Sequence, residues 1–271
     1  MIRVCITRGE SLVLLAVALL TLAPTTPLRA DDAELKRKAQ EQNRELAAAI
    51  KEHGPHHRTV QLARRRLGDT LLKLALPKKA LKLYLPAEQT LANSSDPTDT
   101  TLVYLRCGIV DAYQAMGKPE KGLSFLRKRM APLLESAGEA KLDPQSAKKL
   151  VGARELYGSA LHGLAAYEEA LEFYQGAHRL STMVSGAEDA ETLRLGIGLG
   201  ACLIETGKNE EATAILEPLL ATLEKRFPEK TQSIAIVRGN LGSALLTSGK
   251  ADQALQIFEA QLAVMASLFV N

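Results

Sequence analysis

Glycines, alanines and large apolar residues recur along this chain at fixed offsets. Four stretches carry the pattern: RRRLGDTLLKLALPKKALKLY, RELYGSALHGLAAYEEALEFY, GIGLGACLIETGKNEEATAIL and RGNLGSALLTSGKADQALQIF. In each, a large apolar residue precedes a glycine (Gly68, Gly158, Gly200, Gly242), an alanine follows twelve residues after that glycine (Ala80, Ala170, Ala212, Ala254), and a bulky apolar residue stands four further on (Tyr84, Tyr174, Leu216, Phe258). A fifth stretch, RCGIVDAYQAMGKPEKGLSFL, has Val110, Gly122 and Leu126 in those places, so it reads as a distorted copy. The marker positions 68, 110, 158, 200 and 242 are separated by 42, 48, 42 and 42 residues.

Spacings of this kind describe helices packed in pairs. A small residue on each of two antiparallel helices removes side-chain bulk where they cross, and the large residue one turn later fills the space beside the contact. Pro77 and Pro119 suit the first turn of a second helix, and Gly117, Gly207 and Gly249 suit the end of a first one. Asp96-Pro97 and Asp143-Pro144 read as an N-cap with the first helical residue. The six extra residues of the 48-residue step fall near Ser136 to Ser146, as a longer loop. Residues 33–53 predict one further amphipathic helix closed by Gly54-Pro55, either an N-terminal cap or the remaining second helix of a degraded repeat. The last helix ends on Leu262, Val264, Met265, Leu268, Phe269 and Val270 with no polar helix following in the sequence given. That stripe either folds back on the fifth repeat or meets a partner or a second copy.

The five spaced copies resemble the tetratricopeptide repeat family. The 42-residue step is similar to the kinesin-light-chain type of repeat, as are HGPHHRTVQLA, EDAETLRLGIGLG and RFPEKTQSIAIVRGNLGSAL, with Asn240-Leu241 matching that type's Asn-Leu pair. The resemblance implies an all-α, right-handed solenoid of about five hairpins over residues 55–271, with repeats at 55–96, 97–142, 143–186, 187–227 and 228–271, preceded by a capping helix over 31–54. It also implies a concave wall lined by the first helices, where relatives hold peptides or partner segments. The matching wall positions are Arg65, Asp69, Tyr104, Asp111, Gln114, Glu155, Ser159, His162, Arg194 and Ser243. Chaperone-binding relatives use paired Lys and Asn in a carboxylate clamp; Arg65, Asp69, Asp111 and Glu155 stand here instead, which argues against capture of a C-terminal carboxylate.

Composition agrees with helices. The chain is 46% hydrophobic but only 4% aromatic, without Trp, so its core is built from Ala and Leu, which favour helix-on-helix packing over β-sheet. At the N-terminus, Arg3 and Arg8 precede the apolar run Ser11–Ala23, which Pro24 breaks before Leu28-Arg29-Ala30. The run is shorter than the ~20 residues that span a hydrocarbon core. Residues 1–30 therefore read as a signal peptide of the Sec pathway, cleaved after Ala30, which implies a periplasmic or extracellular protein with no membrane span after cleavage; the alternative is an uncleaved anchor. Without residues 1–30 the charge falls from +3 to +1, because three Arg and one Glu leave. Residues 31–82 hold 13 Lys+Arg against 7 Asp+Glu, and residues 183–271 hold 7 against 11, a polarity that ordinary solvated helix faces can also produce. Cys107 and Cys202 lie among apolar neighbours and read as buried free thiols.

Catalytic chemistry finds little support. Gly196-Ile-Gly198-Leu-Gly200 has the letters of a dinucleotide fingerprint but sits inside a repeat's first helix, where tight packing explains it. His53, His56 and His57 lack spaced acidic or cysteine ligands, so no metal is expected. Arg64-Arg65-Arg66 and Lys78-Lys79 have no interleaved aromatics, so no nucleic acid is expected. No cofactor motif or nucleophile–base pair is found; Glu155 and His162, seven apart on one helix face, are the nearest acid–base candidates. The sequence thus points to a non-enzymatic scaffold for a protein or peptide partner. The rival is a self-assembling protein that joins its basic and acidic ends, or a homo-oligomer through the C-terminal helix.

Overall fold

The computed structural model describes residues 31–134, 139–229 and 231–269, with the side chains of the last helix described as far as Ala263. The expected leader over residues 1–30 and the end of the C-terminal apolar stripe, Val264 to Val270, lie outside that description. Helix α1 (Asp31–His53) leads into five hairpins. They are α2 (Arg58–Lys73) with α3 (Pro77–Ala92), α4 (Thr100–Ala115) with α5 (Pro119–Leu134), α6 (Pro144–Gly163) with α7 (Tyr167–Ser185), α8 (Ala190–Glu205) with α9 (Asn209–Arg226), and α10 (Thr231–Thr247) with α11 (Ala251–Phe269). A single 3₁₀ turn, Glu139–Lys141, stands between the second and third hairpins, and no strand occurs among the described residues. The chain is an all-α solenoid.

Every hairpin turns in the same way. The amide three places past the first helix reaches back to a carbonyl in its last turn: Leu76 to Leu71 at 2.9 Å, Lys118 to Tyr113 at 2.9 Å, Ala166 to Leu161 at 3.0 Å, Lys208 to Leu203 at 2.8 Å and Lys250 to Leu245 at 2.9 Å. This closure needs a left-handed residue between them. Gly117, Gly207 and Gly249 fill the place with φ near +66°, +76° and +77°, but Ala75 and Ala165 are forced into it at +54° and +57°.

Side chains cap the starts of the first helices α2, α4, α6 and α8, whereas the second helices α3, α7 and α9 start without one. Asp143 accepts from the amides of Gln145 at 2.9 Å and Ser146 at 3.1 Å, with Pro144 as the first helical residue, as expected. Asp96 does not cap α4, contrary to expectation. Its carboxylate turns onto Thr98 instead, 2.7 Å from the amide, and Asp99 caps the helix through the Leu102 amide at 3.1 Å. Pro97 follows Asp96 in a tight turn, and the helix begins only after it.

The marker residues form sockets. A Cβ on Gly200 would lie 2.5 Å from the Leu216 side chain, and one on Gly242 would lie 2.5 Å from the Phe258 ring; Gly68 meets Tyr84 and Gly158 meets Tyr174 in the same way. The alanines Ala80, Ala170, Ala212 and Ala254 are all buried at the crossing. In the second hairpin the small residue has changed sides: Val110 is on the first helix, and Gly122 lies over its backbone.

First helices pack along one another, α2 on α4, α4 on α6 and α8 on α10, with α6 only touching α8, while among second helices only α5 and α7 touch. The first helices therefore line the inner wall. The joint between the second and third hairpins is irregular, because α5 leans only lightly on α6. Two buried polar groups fill it. Glu88 of α3 takes Arg106 of α4 at 2.9 Å and Arg129 of α5 at 2.7 Å, and Arg106 also donates to the Tyr157 hydroxyl of α6 at 3.1 Å. Arg154 of α6, fully buried, donates to the Leu133 carbonyl at 2.7 Å and pairs at 2.6 Å with Glu139, which the inserted 3₁₀ turn supplies. The longer loop thus delivers the counter-ion that a buried guanidinium requires.

Left-handed alanine costs roughly 1–2 kcal/mol, partly offset by the greater unfolded-state freedom of glycine, about 0.5–1 kcal/mol. Ala75→Gly and Ala165→Gly should therefore each stabilise the fold by about 0.5–1 kcal/mol. Denaturant midpoints of the single and double variants measure this; unchanged or lower midpoints would contradict the turn assignment.

Candidate functional site

The wall residues named from the sequence fall on all five first helices and form two clusters, with four residues outside them. On α2, Arg65 pairs with Asp69 at 3.6 Å and lies 5.1 Å from the centre of the Tyr104 ring on α4. Asp69 also accepts a 2.6 Å hydrogen bond from the Tyr84 hydroxyl. Asp111 stands nearby on α4. Desolvation in the groove, with repulsion from Asp69, raises its carboxyl above the usual carboxylate range. The second cluster is Glu155 of α6 in an ion pair with Arg194 of α8, which Glu191 joins at 3.8 Å.

The other residues are tied into the scaffold to different degrees. Gln114 spans two hairpins by donating to the Gly163 carbonyl at 2.8 Å. Ser159 stands beside the Tyr174 hydroxyl. His162 packs edge-on against Tyr167, with ring centres 5.2 Å apart. Ser243 is exposed on α10, and no hydrogen bond links its side chain to the other nine. Glu155 and His162, the acid–base candidates, are thus engaged by Arg194 and Tyr167 respectively.

A cleft of about 720 Å³ opens in this wall between α4 and α6. Val103, Ala153 and Leu156 contribute its apolar surface, Tyr104 and Glu155 border it, and Lys148 and Lys149 stand on its edge. Gly152 creates the opening. A Cβ there would meet nothing within 4 Å, although the residue lies in mid-helix. Sequence reading passed over Gly152, yet the register marks it: Tyr104, Gly152, Arg194 and Ile236 follow the same 48, 42 and 42 steps as the socket glycines. Ile236 and Leu246, both exposed on α10, were missed as well. They make the far end of the wall apolar.

Other motifs resolve into structure. Cβ atoms on Gly196, Gly198 and Gly200 would collide with Leu219, Tyr174 and Leu216 in turn, so the fingerprint-like string serves three packing contacts. His57 is occupied as the N-cap of α2, its Nδ1 accepting from the Thr59 amide at 3.3 Å, and His53 stacks on it at 4.8 Å. Arg64 is half-buried and donates to Gln61 at 2.9 Å, Arg65 enters the groove and Arg66 faces solvent, so the arginine run forms no single patch. Cys107 and Cys202 are free thiols, partly and fully buried, and burial pushes both up to about 12. Among the described residues no helix is long and apolar enough to cross a membrane.

No protein-family model and no curated protein matches the chain. Solved structures do match. BtubC (BKLC) from P. vanneervenii aligns over 90% of this chain and 92% of its own, with a TM-score of 0.64 and 18% identity. The nearly identical TPR-like repeats of a Podosopora anserina protein described as a kinesin light chain align over 76% and 95%, with a TM-score of 0.60 and 16% identity. The apo form of RapI aligns over 93% and 70%, with a TM-score of 0.56 and 14% identity. At these identities the likeness is one of fold, and the fold is TPR-like.

Asp111 gives a pH test of the groove's electrostatics. A raised carboxyl pKa means that the folded chain holds the proton more tightly than the unfolded one, so its contribution favours folding at low pH and is lost as pH rises through the folded value. Asp111→Asn should raise the melting temperature at pH 7. The gain should vanish below about pH 4, where both side chains are neutral. A variant that melts at the wild-type temperature at pH 7 would refute the desolvation of the Asp111 carboxylate and its repulsion from Asp69.

Proposed function

We propose that this chain is an exported, non-enzymatic scaffold that holds a segment of a protein partner against its concave wall. The observation that carries the reading is the cleft at Gly152. Glycine in mid-helix costs about 1 kcal/mol relative to alanine; Gly68, Gly108, Gly158, Gly196, Gly198, Gly200 and Gly242 on first helices are each matched by a side chain packed against them, while Gly163 at the end of α6 and Gly239 of α10 are unmatched but do not line the cleft. Gly152 has no such packing reason. Its empty side leaves room for a ligand group beside Tyr104, with polar and charged groups at the edge to fix orientation. Pairing of Glu155 with Arg194, and the packing of His162 on Tyr167, favour recognition over acid–base chemistry.

Export rests on the leader pattern of residues 1–30. N-terminal sequencing of the protein recovered from outside the cytoplasm of an exporting cell should begin at Asp31; a chain that retains Ser11–Ala23 is instead anchored by it.

The groove is tested by filling it. Gly152→Leu adds a side chain where the scaffold has none, so it should raise stability by about 1 kcal/mol while blocking the cleft. Peptides selected from a random displayed library on the wild-type chain should bind this variant at least about tenfold more weakly. Arg65→Ala, Asp69→Ala and Tyr104→Ala should weaken them too. A selected pool that binds all four variants as well as the wild type would place the binding surface elsewhere.

A further inference from the structure

Two helix faces at opposite ends of the solenoid are uncovered among the described residues. On α11, Leu255 is 56% exposed and Leu262 50%. The residues in the place of Leu255 in the first, third and fourth hairpins, Leu81, Leu171 and Thr213, are 8%, 4% and 7% exposed, and Leu220, in the place of Leu262, is 7% exposed. What covers them is the next first helix, antiparallel to the second helix it lies on. The repeat itself therefore specifies the cover that α11 lacks among the described residues: an antiparallel helix. Asp252 and Glu259 share the stripe, because positions 252, 255, 259 and 262 fall within one narrow arc of a helix. Both carboxylates are exposed and without an ion-pair partner among the described residues.

The complementary face is on α1. That helix packs on α2 through Leu46, with Ala39 and Ala49 beside it. Its opposite stripe consists of Ala33, Arg37, Gln40, Arg44, Ala47 and Lys51, all exposed, with three cations, no acid and no ion-pair partner for any of the three.

We propose that α1 of a second copy covers α11, head to tail. In an antiparallel register that sets the second copy's Arg44 over Glu259, its Lys51 falls on Asp252, because both pairs are seven residues apart. Its Ala47 and Ala48 then come over Leu255, where small side chains let the helices close. A contact of this kind uses different faces on the two copies, so it repeats into an open chain or closes into a ring. A two-fold α11 to α11 contact is disfavoured, since centring it on Leu255 and Leu262 brings two copies of Glu259 near the axis. The groove is not involved, so this assembly and the groove reading stand or fall separately.

Sedimentation equilibrium of the processed chain, beginning at Asp31, tests it. Average mass should climb over about a hundredfold range of concentration and drop back as salt is raised. Reversing the head (R44E/K51E) or the tail (D252K/E259K) should each weaken association by at least about tenfold. An equimolar mixture of the two variants should assemble again, because each reversed face then meets its complement. All four positions are exposed, so at concentrations where the wild type is a single chain both variants should keep its melting temperature, and recovery in the mixture confirms that they are folded. The proposal is overturned by a wild-type mass that stays at one chain throughout, or by assembly that survives both reversals. It is also overturned by loss in the tail variant with none in the head variant, which assigns the contact to α11 alone.

Discussion

The structure depends on side chains that were left out. Where two helices of a hairpin cross, a glycine on the first creates the space that a large residue of the second fills, and in the first and third hairpins the same large residue reaches further. The Tyr84 ring touches Gly68 on its own hairpin and also Gly108 on the next, where a Cβ would come within 2.9 Å; Tyr174 relates Gly158 to Gly198 in the same way. One aromatic ring thereby fixes three helices at once. A glycine in mid-helix costs about 1 kcal/mol, while burying a large side chain contributes about 1.5–3 kcal/mol. The socket is therefore favourable only when the ring enters it. That condition sets the register of each hairpin on its successor.

This arrangement explains which features were legible in the sequence. Sockets, crossing alanines and turn glycines are local to a hairpin and recur at steps of 42 residues with one of 48, so the letters alone reveal them. Ala75 and Ala165 were less visible, since an alanine carries no sign that its backbone is left-handed. Asp96 misled because its proline neighbour imitates a cap, while Asp99 holds the amide. The buried polar joint was hidden for a different reason. Arg154 and Glu139 are 15 residues apart, and Glu88 and Arg129 are 41 apart; only the packing of three hairpins shows that these charges are removed from water together. Surface arginines and buried ones have the same letter.

Wall positions were legible through the same period, but their engagement was not. Register placed Glu155 and Arg194 on the inner face, and the fold then cancelled them against each other. It also spent Asp69 on the Tyr84 hydroxyl and left Asp111 without a counter-ion among the described residues. Along the wall the chemistry changes, from Arg65, Asp69 and Asp111 at one end to Ile236 and Leu246 at the other, with the Gly152 cleft between. If an extended segment lay on it, a surface graded in this way would distinguish its two directions, because reversing the segment would set its apolar groups on carboxylates and its polar groups on isoleucine and leucine.

Solenoid stability is nearly additive along the axis: each hairpin is held by its neighbours and by nothing more distant. Among the described residues the fifth hairpin has a neighbour on one side only, and Leu255 stands as exposed apolar surface. A helix laid on α11 would supply a neighbour on the other side and cover that leucine in the same step. Association at this end and ordering of the fifth hairpin would then be one coupled equilibrium. The groove lies on the inner wall, away from this contact, so a stack of copies would carry a Gly152 cleft in every subunit and offer a long partner several footholds. Linked sites of that kind bind more tightly than any one of them does, provided that the partner can span their spacing.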